Sequence, residues 1–274
     1  MLTNLWLMDI DFSFTARAVL CTYAFFALVE RLPNLQVQKS RFLRPFFATD
    51  VLWYLTTVAI IVTVGPSIAG LGNARASVGL LGLEHLQLPW LMQVLIATVL
   101  YDLGTYVAHV LLHRYDLLWR FHKVHHSSRV LDWLATTRGH GLERFARGIP
   151  TQAILYTLGL PVSALAAALV IYGAFAVFGH SNLRLNLSWM EGLFVTPRLH
   201  RLHHIPETTN NNFGTIFTLW DRCFGTLVIA DPKEGYVLGV PGEIESYPQN
   251  YWRQLVQPFR RARVLALQTT DIRT

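Results

Sequence analysis

Residues 197–226 read PRLHRLHHIPETTNNNFGTIFTLWDRCFGT, and the cluster His200, His203 and His204 near the start of this stretch organises the rest of the chain. Positions i, i+3 and i+4 share one face of a helix, so three imidazoles within five residues can converge on a single metal ion. The same spacing occurs earlier as His122, His125 and His126, and a long apolar segment separates the two HxxHH copies. Two copies point to one shared site.

Outward from these boxes, the composition is unlike that of a soluble protein. Of 274 residues, 52% are hydrophobic and 15% charged, against about 25% charged in soluble domains, and the mean hydropathy is +0.33. An integral membrane protein is expected. The net charge of +6 would also suit nucleic acid, but the basic residues lie beside apolar segments, as the positive-inside rule anticipates. No nucleic-acid motif is present, so no such partner is expected. Cys21 and Cys223 form neither a CxxC pair nor a disulfide framework. The first apolar run follows Asp9 and Asp11 and lacks a basic n-region, so it is read as a retained helix and not as a signal peptide.

In chain order, residues 12–29 form a first span, and the basic link 31–45, with Arg31, Lys39, Arg41 and Arg44, is placed on the cytoplasmic side. A second span, 46–64, is expected to end at Gly65-Pro66, followed by a broken Gly-rich stretch at the interface. The third span, 89–112, carries Asp102, Tyr106, His109 and His113 on one stripe. Ionisable groups in a membrane helix are costly unless they pair or bind something. Residues 149–178 are apolar but interrupted at Leu158-Gly-Leu-Pro161, and a hairpin there returns the chain so that both HxxHH boxes lie on one side. The tail, with Arg253, Arg260, Arg261 and Arg263 among aromatics and aliphatics, reads as an amphipathic surface helix. The expected fold is therefore an all-α integral membrane helical bundle: about three spans plus a re-entrant or spanning hairpin, under a cytosolic histidine-rich cap. It forms one membrane domain over 1–274, with transmembrane helices in 12–112, the histidine boxes in 101–226 and the tail in 227–274.

Eight of the eleven histidines fall in HVLLH at 109–113, HKVHH at 122–126 and HRLHH at 200–204, whereas the lone His85 reads as an ordinary polar residue. Packing eight imidazoles together without a metal would crowd titrating groups that have no acceptor to share. Neutral imidazole binds iron, zinc and copper well. Eight or nine ligands, counting His180, exceed the four of a structural zinc site and imply two ions. Carboxylate ligands of the soluble diiron type, with their ExxH pairs, are missing from the sequence.

The order HxxxH, HxxHH, HxxHH on a hydrophobic chain resembles the membrane-bound diiron oxygenases. Several segments resemble the fatty acid hydroxylase and sterol desaturase superfamily in particular: Asp102 and Tyr106 ahead of the first box, Thr137-Arg-Gly-His140 with Glu143, His180-Ser-Asn182, and Asn211-Asn-Phe-Gly214 with Trp220-Asp-Arg-Cys-Phe-Gly-Thr226. The resemblance implies metal ligation by His109, His113, His122, His125, His126, His180, His200, His203 and His204. It further implies Asp102 as a carboxylate that orients a ligand imidazole, and His140 as a group behind the ligands. It implies two iron ions, molecular oxygen as co-substrate, and a fatty acyl, sterol or terpenoid lipid hydroxylated or desaturated at a C–H bond. Electrons must come from a separate ferredoxin or cytochrome, since the sequence has no haem CxxCH, dinucleotide-binding GxGxxG or iron–sulfur cysteine set. The metal site is expected on the cytoplasmic side. Two other readings compete: a zinc-dependent membrane hydrolase, which lacks an HExxH base, and a metal or proton carrier, which lacks polar residues through 89–100.

Overall fold

A computed structural model describes residues 12–39, 43–75 and 87–260. His85, Arg41, Arg261 and Arg263 lie outside the described residues. The long helices are α1 (Phe12–Val29), α2 (Phe47–Arg75), α3 (Trp90–Arg114), α4 (Asp116–His126), α5 (Gly141–Leu158) and α6 (Val162–His180). Three short ones follow: α7 (Pro197–His203), α8 (Leu219–Phe224) and α9 (Tyr251–Val256). Among the described residues there is no β-strand, only isolated bridges between Gln36 and Leu183 and between Phe194 and Phe217.

α3 and a segment of α6, Ser163–His180, are long and apolar enough to cross a membrane, while α1 and α2 contain shorter apolar runs, Arg17–Val29 and Phe47–Thr63. The expected end of the second helix at Gly65-Pro66 is corrected: α2 continues through Pro66 to Arg75. A proline costs a helix one backbone hydrogen bond and usually bends or stops it; here it does not stop it. The hairpin breaks where expected, at Gly159 in the left-handed conformation (φ 68°), which a residue without Cβ adopts freely. Pro161 then caps α6. The first limb, however, starts at Gly141 and not near residue 149, because His140 caps the helix and Glu143 lies in its first turn, ahead of the apolar run.

The α5–α6 hairpin packs along α3. Val94 and Ala97 of α3 meet Leu160, Ala164 and Ala168 at its far end. Nearer the histidines, α3 and α5 cross at Gly104, where a Cβ would lie 2.6 Å from the Thr151 Cα. Over the other end, residues 181–260 fold back around α4 and α7, with a core of Leu131, Ala135, Val195, Leu199, Leu202 and Leu238.

Two features depart from the solvated basic surface expected of the link and tail. Arg44 is buried and pairs with Asp132 (2.5 and 2.7 Å) and Asp50 (2.7 Å), and Asp50 in turn pairs with buried Arg138. In α9, Tyr251 and Gln254 turn inward: Trp53 Nε1 donates to Gln254 Oε1 at 2.8 Å, and Tyr251 Oη lies 2.7 Å from Thr56 Oγ1. The outward residues Trp252, Arg253, Val256, Phe259 and Arg260 are exposed.

Candidate metal centre

The nine histidines come from four elements. His109 and His113 lie one turn apart near the end of α3, and His122, His125 and His126 occupy the last turn and a half of α4. His180 ends α6, while His200 and His203 lie on α7 with His204 just beyond it. α7 starts by a strong local signal: Thr196 caps it, accepting from Leu199 N, and Pro197 occupies the first turn, where its missing N–H costs nothing.

These side chains meet in two groups whose ligand atoms lie within 4.8 Å of one another: His109, His113, His122, His126 and His203 in one, His125, His180, His200 and His204 in the other. Each HxxHH box divides between them. In α4 the i and i+4 imidazoles face the first group and i+3 the second; in α7 the division is reversed.

The hydrogen bonds fix which nitrogens carry protons. His109 Nδ1 donates to the Phe213 carbonyl (2.8 Å), and His122 Nδ1 donates to Glu143 Oε1 (2.8 Å). His125 Nδ1 donates to the Arg138 carbonyl (2.9 Å), His180 Nδ1 to Ala176 (2.8 Å) and His203 Nδ1 to Asn211 (2.8 Å). With the proton on Nδ1, a neutral ring presents a bare lone pair at Nε2. Yet the Nε2 atoms of His109 and His122 are 3.1 Å apart, as are those of His125 and His180. Two acceptors facing each other repel unless a cation lies between them. His113 Nε2 and His203 Nε2 are buried with no partner at all. The residues therefore fit a pair of metal ions, one per group, each bound through Nε2.

Burial works in the same direction. It holds the imidazoles of His122, His125, His126, His200 and His204 well below the ordinary histidine value, aided by neighbouring imidazoles and, for His122, His125 and His200, by Arg147, and brings His203 down to about 3. All six are neutral, ligand-competent bases at physiological pH.

Two sequence expectations are corrected. Asp102 orients no imidazole: its oxygens accept from Ile216 N (2.9 Å), Phe217 N (3.0 Å) and Trp220 Nε1 (3.0 Å), so it anchors the 213–224 segment to α3. His140 stands behind no ligand: its Nδ1 caps α5 by accepting from Leu142 N (3.2 Å), and its Nε2 donates to the Leu255 carbonyl (3.2 Å). The carboxylate that does orient a ligand is Glu143, held from behind by Arg147 at 3.2 Å. The sequence analysis names Glu143 only within the family resemblance and gives it no role. Starting α5 at Gly141 would have put Glu143 and Arg147 on one face, four residues apart.

Residues 94–226 match the fatty acid hydroxylase family. Together with the relatives below, this match supports the fatty acid hydroxylase and sterol desaturase superfamily. All nine histidines, Asp102 and Glu143 fall inside the matched region. Ornithine lipid hydroxylase OlsE of Rhizobium tropici is 31% identical over 177 residues, 64% of this chain and 53% of that protein. Alkylglycerol monooxygenase of Danio rerio is 30% identical over 183 residues, 64% of this chain and 41% of its own length. Human cholesterol 25-hydroxylase is 31% identical over 144 residues, 50% of this chain and 52% of that protein. The chain thus spans about half or less of the length of these relatives. No solved structure matches it.

Proposed function

We propose that this chain is a membrane-embedded, non-haem diiron oxidoreductase that uses molecular oxygen to hydroxylate or desaturate a C–H bond of a lipid. The observation that carries this reading is the pair of interlocked all-histidine groups with bare Nε2 atoms in contact. The named activities of the relatives, an ornithine lipid hydroxylase, an alkylglycerol monooxygenase and a cholesterol hydroxylase, support a lipid substrate. Bound iron would supply oxygen activation and oxidation of an unactivated C–H bond, chemistry beyond any side chain. In hydroxylation, one oxygen atom enters the C–H bond and the other leaves as water, consuming two electrons and two protons; a separate protein electron donor delivers the electrons.

The chain's own residues position and protect this chemistry. Glu143 and the carbonyls of Phe213, Arg138, Ala176 and Asn211 hold the Nδ1 protons of His122, His109, His125, His180 and His203, which fixes ring orientation and raises ligand basicity. Burial of the histidines keeps bulk water away. A zinc hydrolase would need a carboxylate base facing the substrate; Glu143 instead holds His122 and Arg147 through Oε1, and the sequence has no HExxH motif to supply another. We place the histidine centre on the cytoplasmic side, supported by the basic residues that flank the spans.

Metal analysis with Mössbauer spectroscopy on detergent-purified protein tests the reading. Two coupled irons per chain are expected, and stoichiometric zinc after iron-replete expression would overturn it. Lipid profiling of a deletion strain against its parent then identifies the oxidised lipid.

A further inference from the structure

The segment from Trp189 to Phe224 carries apolar side chains left exposed among the described residues: Trp189 (80%), Leu193 (51%), Leu219 (42%) and Phe224 (63%). They form one surface. Thr218 N donates to the Leu193 carbonyl, and Arg222 reaches the Gly192 carbonyl at 3.0 Å. Lying beyond the last spanning helix, this segment reads from sequence as part of a water-facing cap.

Its attachment to α3 says otherwise. α3 has 25 residues, so it is about 37 Å long. A full crossing needs about 30 Å of hydrocarbon. Asp102 stands at the middle of α3, twelve residues from either end. Wherever the bilayer is placed along a helix that crosses it, Asp102 lies about 10 Å or more inside the apolar layer. A carboxylate there must be satisfied by protein, and the donors are Ile216 N, Phe217 N and Trp220 Nε1. One turn nearer the histidines, Tyr106 stacks on Phe224 at 5.5 Å and bonds Thr226 Oγ1 at 3.0 Å. The segment is therefore bonded to α3 at hydrocarbon depth, and its outer face must meet lipid there.

We propose that α8 and the neighbouring 189–193 turn are inserted into the bilayer, with Leu193, Leu219 and Phe224 against acyl chains and the Arg222 guanidinium held by the Gly192 carbonyl. Non-helical backbone survives at such depth only where protein satisfies it. Phe213 N and Gly214 N donate to Asp221 (both 2.8 Å), and the 216 and 217 amides donate to Asp102. The inserted segment also touches the metal centre directly, because the Phe213 carbonyl orients His109.

This inference rests on α3 crossing the membrane, and labels on α3 and on α8 separate the two claims. Holoprotein in nanodiscs is labelled with an environment-sensitive fluorophore at Cys223 in a Cys21→Ser background, and, with both native cysteines replaced, at Leu95→Cys of α3, whose side chain is exposed, and at Glu245→Cys, whose side chain is 90% exposed. Nitroxide-bearing phospholipids should quench the 95 and 223 labels, and iodide in the water should quench both roughly threefold less than the 245 label. Lipid quenching at 95 but aqueous quenching at 223 overturns the inserted segment alone. Aqueous quenching at both overturns the crossing itself. If a label at Cys223 displaces the metals, Leu219→Cys in the cysteine-free background reads the same depth with the same two outcomes.

Discussion

Glu143 is the residue on which the proposed chemistry leans most outside the ligands. Glu143→Gln keeps the size but removes the charge that holds the His122 Nδ1 proton and pairs with Arg147. Losing such an orienting partner lowers metal affinity or activity roughly 10–100-fold. Metal content and oxygen-dependent lipid turnover should both fall while the protein remains folded. A second residue makes a pH prediction. Burial, with Asp132 nearby, pushes the Glu30 carboxyl up to about 8. The folded state therefore holds a proton that the unfolded chain has already lost above its ordinary value. The associated stability is full below the unfolded value and declines as pH rises through about 8. Glu30→Gln should raise the unfolding free energy at pH 9 by about 2 kcal/mol relative to the native residue and change it little at pH 4, read by denaturant unfolding in detergent. Eight of the nine imidazoles are legible in the sequence because helical spacing aligns each box, and His180 follows only from the family resemblance. Their division into five and four is not, because it depends on where α3 and α6 deliver His109, His113 and His180. Asp102 was misread for a related reason. A carboxylate on the histidine stripe looks like a ligand's partner until the chain that folds back over it is known.

At the scale of elements, the crossing of α3 and α5 carries the ligand pair His109 and His113 past the helix that bears Glu143. Gly104→Ala would place a methyl 2.6 Å from the Thr151 Cα, and backbone cannot yield as a flexible side chain does. The helices must separate, at about 1–3 kcal/mol. The expected result is a lower thermal midpoint and weaker metal retention. The effect on turnover should follow Glu143→Gln in kind, since both loosen the seat of His122. Helix existence was legible from the apolar runs, and the hairpin break from Gly159 and Pro161. Two boundaries were not. α2 runs past Gly65-Pro66, and α5 begins eight residues before the apolar run, where the His140 cap and the Glu143–Arg147 pair start a helix that hydrophobicity does not mark.

Across the whole molecule, the centre joins α3, α4, α6 and α7, so its occupants act as cross-links between parts of the chain far apart in sequence. Removing them with a chelator should lower the thermal midpoint, and restoring ferrous iron should return it, because a ligand bound only by the folded form stabilises it by mass action. Differential scanning of stripped and reconstituted protein in detergent checks this. The alternating division of the two HxxHH boxes has a further consequence. α4 and α7 each contribute to both groups, so neither helix can settle around one ion without also setting the imidazoles that await the other. Loading should then be cooperative: the first ion bears the cost of ordering both helices, and the second binds the more tightly for it. A metal titration of stripped protein should pass from empty to doubly loaded with little singly loaded species between.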